Sequence, residues 1–384
     1  FELIIICYLY MNNIIIFLII FLLFILFYYY FFFLHKEKKI YDKFNNYKSQ
    51  IVRLTNTAYN NNTIIIDDNI SLHYSYSKLL STIYPVKVLK GSGTFNTIKE
   101  INNNNISFGL AQEDMVINSV LGIKTYSKRY NNIKFIKGIY EEQINLITNT
   151  KYNIDSWNDL KGKTVCFGRK NSSSLYNGLE LCKIINIKKN DLKIIYGNIT
   201  DKNIRKLIID DTIQAIFIIG ENPNTYIKEL FRIKLLNMIG TKGIPNELIK
   251  LKFPLWRKSK INIKNYNIPS FNYYLDTWGI RIILITNSNQ NNNIIYSLIK
   301  TIFENNMYIR DNINNDDQKQ VLQNFSVEDS FENRNIIPLH NGVKLYYKHI
   351  GLISNDKNPN CSFFVGTGNC NLEILDPFYH SAKF

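Results

Sequence analysis

The chain has 384 residues, of which 46% are hydrophobic and 20% are charged, and its formal net charge is +15. A chain of this length and composition folds around one large core or two linked ones, which excludes a wholly disordered protein. The five cysteines form no CxxC pair and have no histidine at zinc-ligand spacing, so we expect neither a metal site nor a cofactor.

The positive charge leaves two interpretations open. Clustered lysine and arginine side chains bind nucleic-acid phosphates, whereas scattered lysines form an ordinary solvated surface. Here the lysines occur in nearly every segment, among many asparagines, isoleucines and tyrosines. We therefore expect a solvated surface and no nucleic-acid partner.

The first strong signal in chain order is an uncharged run at residues 14–34, IIIFLIIFLLFILFYYYFFFL. A helix of this length crosses about 30 Å of hydrocarbon. The run lacks a basic segment before it and a small-residue cleavage site after it, so we expect an uncleaved anchor within residues 1–34. The basic residues at 35–39 favour a cytoplasmic position for that flank. Met11 is an alternative start to Phe1.

Residues 35–62 are polar, rich in asparagine and lysine, and predict a linker. Residues 63–66 then predict a strand, SLHYSYSKLLSTIY a helix and PVKVLK a second strand. FNTIKEINNN predicts another helix, and ISFGLAQED, FIKGIY and INLIT predict three further strands. Alternating strands and helices imply a mainly parallel sheet.

A second set of α/β elements follows, with the short helix SWNDLKGK, the strand TVCFG, a helix from Leu175 to Ile185 and the strands LKIIYG and AIFIIG. TWGIRIILITN then returns as a strand, so the chain leaves one lobe, builds another and comes back. We predict an α/β fold with lobe 1 at residues 63–145 and 276–352 and lobe 2 at residues 146–275. Residues 353–384 form an extension of unknown structure.

Two loops each follow a predicted strand and open a helix. Backbone N–H groups, hydroxyls and the helix dipole at such places bind anions, although glycine and serine also serve as ordinary turn and cap residues. The residues concerned are Gly91, Ser92, Gly93 and Thr94 in the first loop, and Ser172, Ser173 and Ser174 in the second. Neither loop matches a P-loop and no GxGxxG follows a strand, which argues against nucleotide hydrolysis and dinucleotide binding.

Gln112, Glu113 and Asp114 end the strand ISFGLA, a place where open α/β sheets present ligand groups. The carboxylate pair also fits a solvated helix start.

Signatures of hydrolases are absent, since there is no GxSxG motif and the histidines stand alone. The chain is therefore not expected to be an enzyme. The aromatic residues that fit either a cleft or an ordinary core are Tyr140, Trp256, Tyr266 and Trp278.

Two long segments in succession, GSGTFNTIKEINNNNISFGLAQED and GIYEEQINLITNTKYNIDSWNDLKGKTVCFGRKNSSS, resemble the solute-binding proteins of TAXI-type TRAP transporters. AIFIIGENPNTYIKEL, TWGIRIILIT and IIPLHNGVKLYYKHIGL extend the resemblance over about residues 63–352. It implies a two-lobed type II periplasmic-binding-protein fold, anchored at the membrane on the periplasmic side. The implied partners are a fused TRAP permease and a small carboxylate or amino acid such as glutamate or glutamine.

Carried over to this chain, the resemblance implies a set of ligand-binding residues. They are Gly91, Ser92, Gly93, Thr94, Gln112, Asp114, Tyr140, Ser172, Ser173 and Ser174. Two departures from the family pattern argue against a conserved ligand site at these residues. The first glycine-rich turn is replaced by IIIDDNISLHYSYS, and Arg169 and Lys170 stand where smaller residues are common. They support an alternative, a membrane-anchored scaffold or sensor of the same fold whose ligand site has drifted.

Overall fold

The computed structural model describes residues 63–66, 72–90, 93–268, 273–313, 315–323 and 336–351. The predicted anchor, the linker before residue 63 and the C-terminal extension lie outside these ranges, as do Gly91 and Ser92. Within the ranges, no helix is both long enough and apolar enough to cross a membrane.

Ten strands of the described chain form one mixed sheet. The strands are β1 (Thr63–Ile66), β2 (Lys87–Lys90), β3 (Phe108–Gln112), β4 (Ile133–Asn149), β5 (Thr164–Cys166), β6 (Lys193–Ile194), β7 (Ala215–Gly220), β8 (Leu236–Met238), β9 (Arg257–Asn262) and β10 (Tyr274–Asn287). The helices are α1 (Leu72–Ile83), α2 (Thr94–Asn102), α3 (Glu113–Leu121), α4 (Ser173–Ile184), α5 (Lys202–Ile209), α6 (Thr225–Ile233), α7 (Asn246–Lys252), α8 (Asn292–Glu304), α9 (Asn306–Asp311), α10 (Asp316–Gln323) and α11 (Asn341–His349).

Helix α1 shows how the sequence pattern becomes structure. Leu72, Tyr76 and Leu80 recur at intervals of four residues, which places them on one face of a helix, and all three are buried. This confirms the helix predicted at SLHYSYSKLLSTIY. The short helix predicted at SWNDLKGK is a single 3-10 turn at Trp157–Leu160.

The order of the strands is β2-β1-β3-β10-β4-β7-β5-β6, with β8 beside β4 and β9 beside β10. β1 runs parallel to β2 and β3, and β5 runs parallel to β6 and β7. β4 and β10 are antiparallel to every strand they pair with among the described residues. The prediction of a mainly parallel sheet is therefore wrong.

The reason lies in β4, which is one strand of 17 residues where the sequence predicts two. The polar residues between FIKGIY and INLIT do not form a turn, because Glu141 pairs with Arg281 and Gln143 pairs with Gly279 of β10. The chain thus crosses the centre of the sheet in an extended conformation. The strands next to β4 run antiparallel to it, so they pair with it without the helical crossover that parallel strands require.

Buried apolar side chains form three clusters. One is drawn from residues 64–140 and 282–347, and the other two lie within residues 144–280. β4 and β10 contribute to the clusters on both sides, so these two strands connect regions with separate cores. The lobe boundaries given above remain a prediction.

Candidate functional site

Three helices begin next to one another. α3 begins at Glu113, directly after β3, and its second residue is Asp114. Burial is the main cause of the raised pKa of Tyr126 and of Tyr176, followed by Tyr130 for the first and Glu180 for the second, and the charge of Asp114 adds to both. Tyr176 lies in the first turn of α4, and the ring of Tyr126 lies 5.7 Å from that of Phe95, the second residue of α2. Asp114 at the start of α3 therefore lies near the first turns of α4, and the start of α2 lies against Tyr126.

The Asp114 carboxylate is buried and bound from two directions. Its Oδ2 accepts a hydrogen bond of 3.0 Å from Nε1 of Trp256, and its Oδ1 accepts one of 2.8 Å from the N–H of Met115. Burial raises the pKa of Asp114, and the bond from Trp256 and the charge of Lys124 oppose that rise. The contact ties the start of α3 to a segment 142 residues further along the chain.

Two polar side chains beside Asp114 carry groups without a hydrogen-bond partner among the described residues. They are the hydroxyl of Tyr126 and both amide atoms of Asn177. Asn177 is fully buried and lies close enough to Asp114 to lower the pKa of that carboxyl, yet its contact is too loose to count as a hydrogen bond. A buried polar group left unpaired costs about 1–3 kcal/mol, so a bound molecule that pairs with these groups gains affinity. We call Asp114, Tyr126 and Asn177 the helix-terminus site.

A second polar cluster joins α1 to the end of β3 and the middle of β4. The hydroxyl of Tyr140 lies 2.7 Å from Nδ1 of His73 and donates to Oε1 of Glu142 at 3.4 Å. Gln112 donates through Nε2 to the other Glu142 oxygen at 3.3 Å, while its own Oε1 has no partner among the described residues. Burial lowers the pKa of His73 to about 4, so the imidazole is neutral at pH 7 and its 3.8 Å approach to Glu142 is not an ion pair.

The carboxylate pair at the end of β3 is not a solvated helix start. Glu113 and Arg281 are each 2% exposed, and Nε of Arg281 donates to Oε2 of Glu113 at 3.0 Å. Nη2 of Arg281 bonds the other carboxylate oxygen, which makes the pair bidentate. Because Arg281 belongs to β10, this ion pair fixes the start of α3 against the centre of the sheet.

The structure brings part of the predicted ligand set together and separates the rest. Asp114 belongs to the helix-terminus site, whereas Gln112 and Tyr140 belong to the cluster around Glu142. Gly93 precedes α2 as its N-cap, and Thr94 is its buried first residue. The ligand role of each of these residues remains a prediction.

The serines of the second loop form the start of α4. Oγ of Ser172 accepts a hydrogen bond of 3.1 Å from the N–H of Leu175, so Ser172 caps the helix. Ser173 is buried and Ser174 is half-buried in the first turn. Gly168 has φ +121°, and an added Cβ would lie 2.7 Å from the Ser172 hydroxyl, so the loop requires glycine there.

The two basic residues of this loop are engaged nearby. Nη2 of Arg169 lies 3.5 Å from a carboxylate oxygen of Asp201, and Nζ of Lys170 lies 5.2 Å from the centre of the Tyr196 ring. Among the described residues, no group of three or more His, Cys, Asp or Glu side chains is arranged to hold a metal ion.

Sequence reasoning missed the side chains whose partners are far away along the chain. The expectation that the histidines stand alone is wrong for His73, because its partner Tyr140 lies 67 residues later. Sequence reasoning also gave no role to Tyr126 or Asn177. The stretch SSSLYNGLE reads as an ordinary helix, and only the folded chain shows that Asn177 lies beside Asp114.

The model of the NMT1-like family matches residues 72–351. Among solved structures, the arginine-, lysine-, histidine-binding protein ArtJ of Geobacillus stearothermophilus is 10% identical, with a TM-score of 0.40 over 72% of this chain and 99% of that one. The aliphatic sulphonate binding protein SsuA of Escherichia coli is 12% identical, with a TM-score of 0.41 over 75% and 87%. The GluR0 ligand-binding core of Nostoc punctiforme is 13% identical, with a TM-score of 0.39 over 66% and 97%.

Proposed function

The chain belongs to the NMT1-like family, and from that membership we propose that it is the extracytoplasmic solute-binding component of a transporter. It captures a small molecule by closing two lobes around it and performs no chemistry on it. Closure of this kind requires a ligand that binds the closed state better than the open one.

The observation that supports this proposal most is the convergence of three helix starts around unpaired buried groups. α2 and α3 come from the predicted lobe 1 and α4 comes from the predicted lobe 2. Tyr176 and Leu255, both in the predicted lobe 2, pack against the hydrophobic cluster of residues 64–140 and 282–347. A ligand at the helix-terminus site is thus enclosed from both sides, and helix N-termini favour an anionic group on it.

In finer detail, we propose a TRAP transporter of the TAXI type, with a fused membrane permease as partner. The proposed ligand is a small carboxylate such as glutamate or glutamine. The support is the ordered resemblance over about residues 63–352, together with the helix starts that the structure brings together. Residues 1–34 hold the protein to the membrane, with the lobes on the extracytoplasmic side, an orientation that the family resemblance favours against the basic flank at residues 35–39.

A second candidate function is an anchored scaffold or sensor of the same fold. It is favoured by the state of Asp114, whose two oxygens already accept hydrogen bonds from Trp256 and Met115. The cap formed by Ser172 also engages a hydroxyl that the resemblance assigns to a ligand.

Thermal unfolding of the full-length chain in detergent separates the two functions. The panel contains glutamate, glutamine, other amino acids, dicarboxylates and a polyanion. A ligand at 100 times its dissociation constant adds about 2.7 kcal/mol to the free energy of unfolding. We expect stabilisation by one small carboxylate, lost in Ser173→Ala and kept in the control Ser81→Ala, whose hydroxyl bonds its own helix. Failure of every compound favours the scaffold, and a response to the polyanion alone favours a phosphate-binding surface.

A further inference from the structure

Asn177 offers one hydrogen-bond donor and one acceptor side by side. Neither Nδ2 nor Oδ1 makes a close hydrogen bond among the described residues, although the amide lies near the Asp114 carboxylate, and the residue is 0% exposed. It is the fifth residue of α4, one turn after the loop that the sequence assigns to ligand binding. A ligand group that donates to Oδ1 and accepts from Nδ2 satisfies both atoms at once.

The neighbouring Asp114 restricts the charge of that ligand group. A carboxylate on Asn177 would place a second negative charge beside the buried Asp114, and like charges repel more strongly in buried surroundings than in water. Lys124 attracts such an anion and offsets part of this repulsion, since its charge also acts on Asp114. A carboxylate also only accepts hydrogen bonds, so Oδ1 of Asn177 would stay unpaired.

An ammonium group fails for the opposite reason. It donates to Oδ1 of Asn177 and is attracted by Asp114, but it has no acceptor for Nδ2. A primary carboxamide carries a carbonyl oxygen and an NH2 group at the same spacing as the Asn177 amide, so two parallel hydrogen bonds form. It is also uncharged, which removes the repulsion by Asp114.

We propose that Asn177 is a specificity-determining residue that selects a ligand with a primary carboxamide over the otherwise identical ligand with a carboxylate in its place. The inference rests on the proposed solute-binding function and names the chemical group that faces α4.

Calorimetric titration of the full-length chain with matched pairs tests the inference. The pairs are L-glutamine with L-glutamate and succinamate with succinate, which differ only in the amide. We expect the amide to bind at least ~10-fold more tightly than the acid, which corresponds to about 1.4 kcal/mol. In Asn177→Leu, which has the same number of side-chain heavy atoms and no polar atoms, the ratio should fall toward the smaller value set by repulsion from Asp114 alone.

Asn145→Leu is the matched control, because Asn145 is also 0% exposed and has an unpaired Oδ1, yet it lies in β4. It should lose stability and keep the wild-type ratio. If Asn177→Leu does not fold, Asn177→Ser takes its place as the test variant. It should also lower the ratio of amide affinity to acid affinity. Equal binding of the two members, tighter binding of the acid, or an unchanged ratio in the Asn177 variants overturns this inference alone. Failure of all four compounds to bind overturns the proposed function together with it.

Discussion

Trp256 donates its indole N–H to the carboxylate of Asp114 across 3.0 Å, and both side chains are buried. The ring of Phe253 stacks on the Trp256 indole at 3.8 Å with the planes 8° apart, which holds the indole in its orientation. The bond connects the start of α3 to the segment that leads into β9. In the predicted two-lobed arrangement, it is a contact from one lobe to the other.

Replacing the donor should destabilise the fold without removing the ring. Trp256→Phe keeps an aromatic side chain against Phe253 but leaves Oδ2 of Asp114 unpaired. We expect a loss of about 1–3 kcal/mol in the free energy of unfolding, because the bond is made to a buried charged group. Urea unfolding followed by circular dichroism measures it.

Trp278→Phe is the matched control for that variant. The indole of Trp278 is also buried, but it donates to the neutral amide oxygen of Asn246 at 3.2 Å. Its loss should cost less than the loss of the Trp256 donor. An equal or greater cost for Trp278→Phe would contradict the larger contribution expected of the bond from Trp256 to Asp114.

The crossing of β4 and β10 should not tolerate a side chain at Gly279. A Cβ there would collide with the carboxylate of Glu141, which also accepts a hydrogen bond of 2.7 Å from Ser259 and is therefore held in place. We expect Gly279→Ala to cost about 1–3 kcal/mol. In Gly220→Ala, also in a strand, the nearest atom lies 3.6 Å from the new Cβ, so that variant should be neutral or slightly stabilising. Thermal unfolding of both variants measures these two changes in stability. Equal stability of the two variants would contradict the expected difference.

The buried imidazole of His73 makes the fold sensitive to acid. Its pKa falls from 6.5 in the unfolded chain to about 4 in the folded one, so between these values only the unfolded chain binds the proton. The free energy of unfolding should therefore decrease as the pH falls from 6.5 toward 4, by up to about 3 kcal/mol for this group. Its contribution is fully present above pH 6.5.

Comparing urea unfolding of the wild type and of His73→Gln between pH 6.5 and 4 isolates the contribution of His73 to the pH dependence of stability. The glutamine side chain still reaches the Tyr140 hydroxyl but does not titrate. The variant should lose less stability than the wild type on acidification, while the other groups titrate alike in both. Parallel pH profiles would mean that His73 does not carry the effect.

Much of the local structure follows from the sequence. The four-residue spacing of Leu72, Tyr76 and Leu80 predicts α1, and the strand ending in Gln112 is β3. The direction of the central strands does not follow, because the polar residues in the middle of β4 resemble a turn. They are satisfied by residues distant in sequence, as when Ser259 donates to Glu141 from 118 positions away.

The candidate site was only partly predictable for the same reason. Asp114 stands at the end of a strand, where ligand groups are expected, and the pattern points to it. Tyr126 and Asn177 become informative only when burial is known, since an unpaired polar group is a property of the folded chain. A single sequence carries no signal for it.

The hydroxyl of Tyr126 offers a direct test of ligand binding at the helix-terminus site. It is buried and has no hydrogen-bond partner among the described residues, so Tyr126→Phe should leave the free energy of unfolding of the free protein unchanged or slightly higher. If the group serves a ligand, calorimetric titration with the compound that stabilises the wild type should show affinity reduced by about 10-fold. Unchanged affinity in Tyr126→Phe would contradict binding at the helix-terminus site.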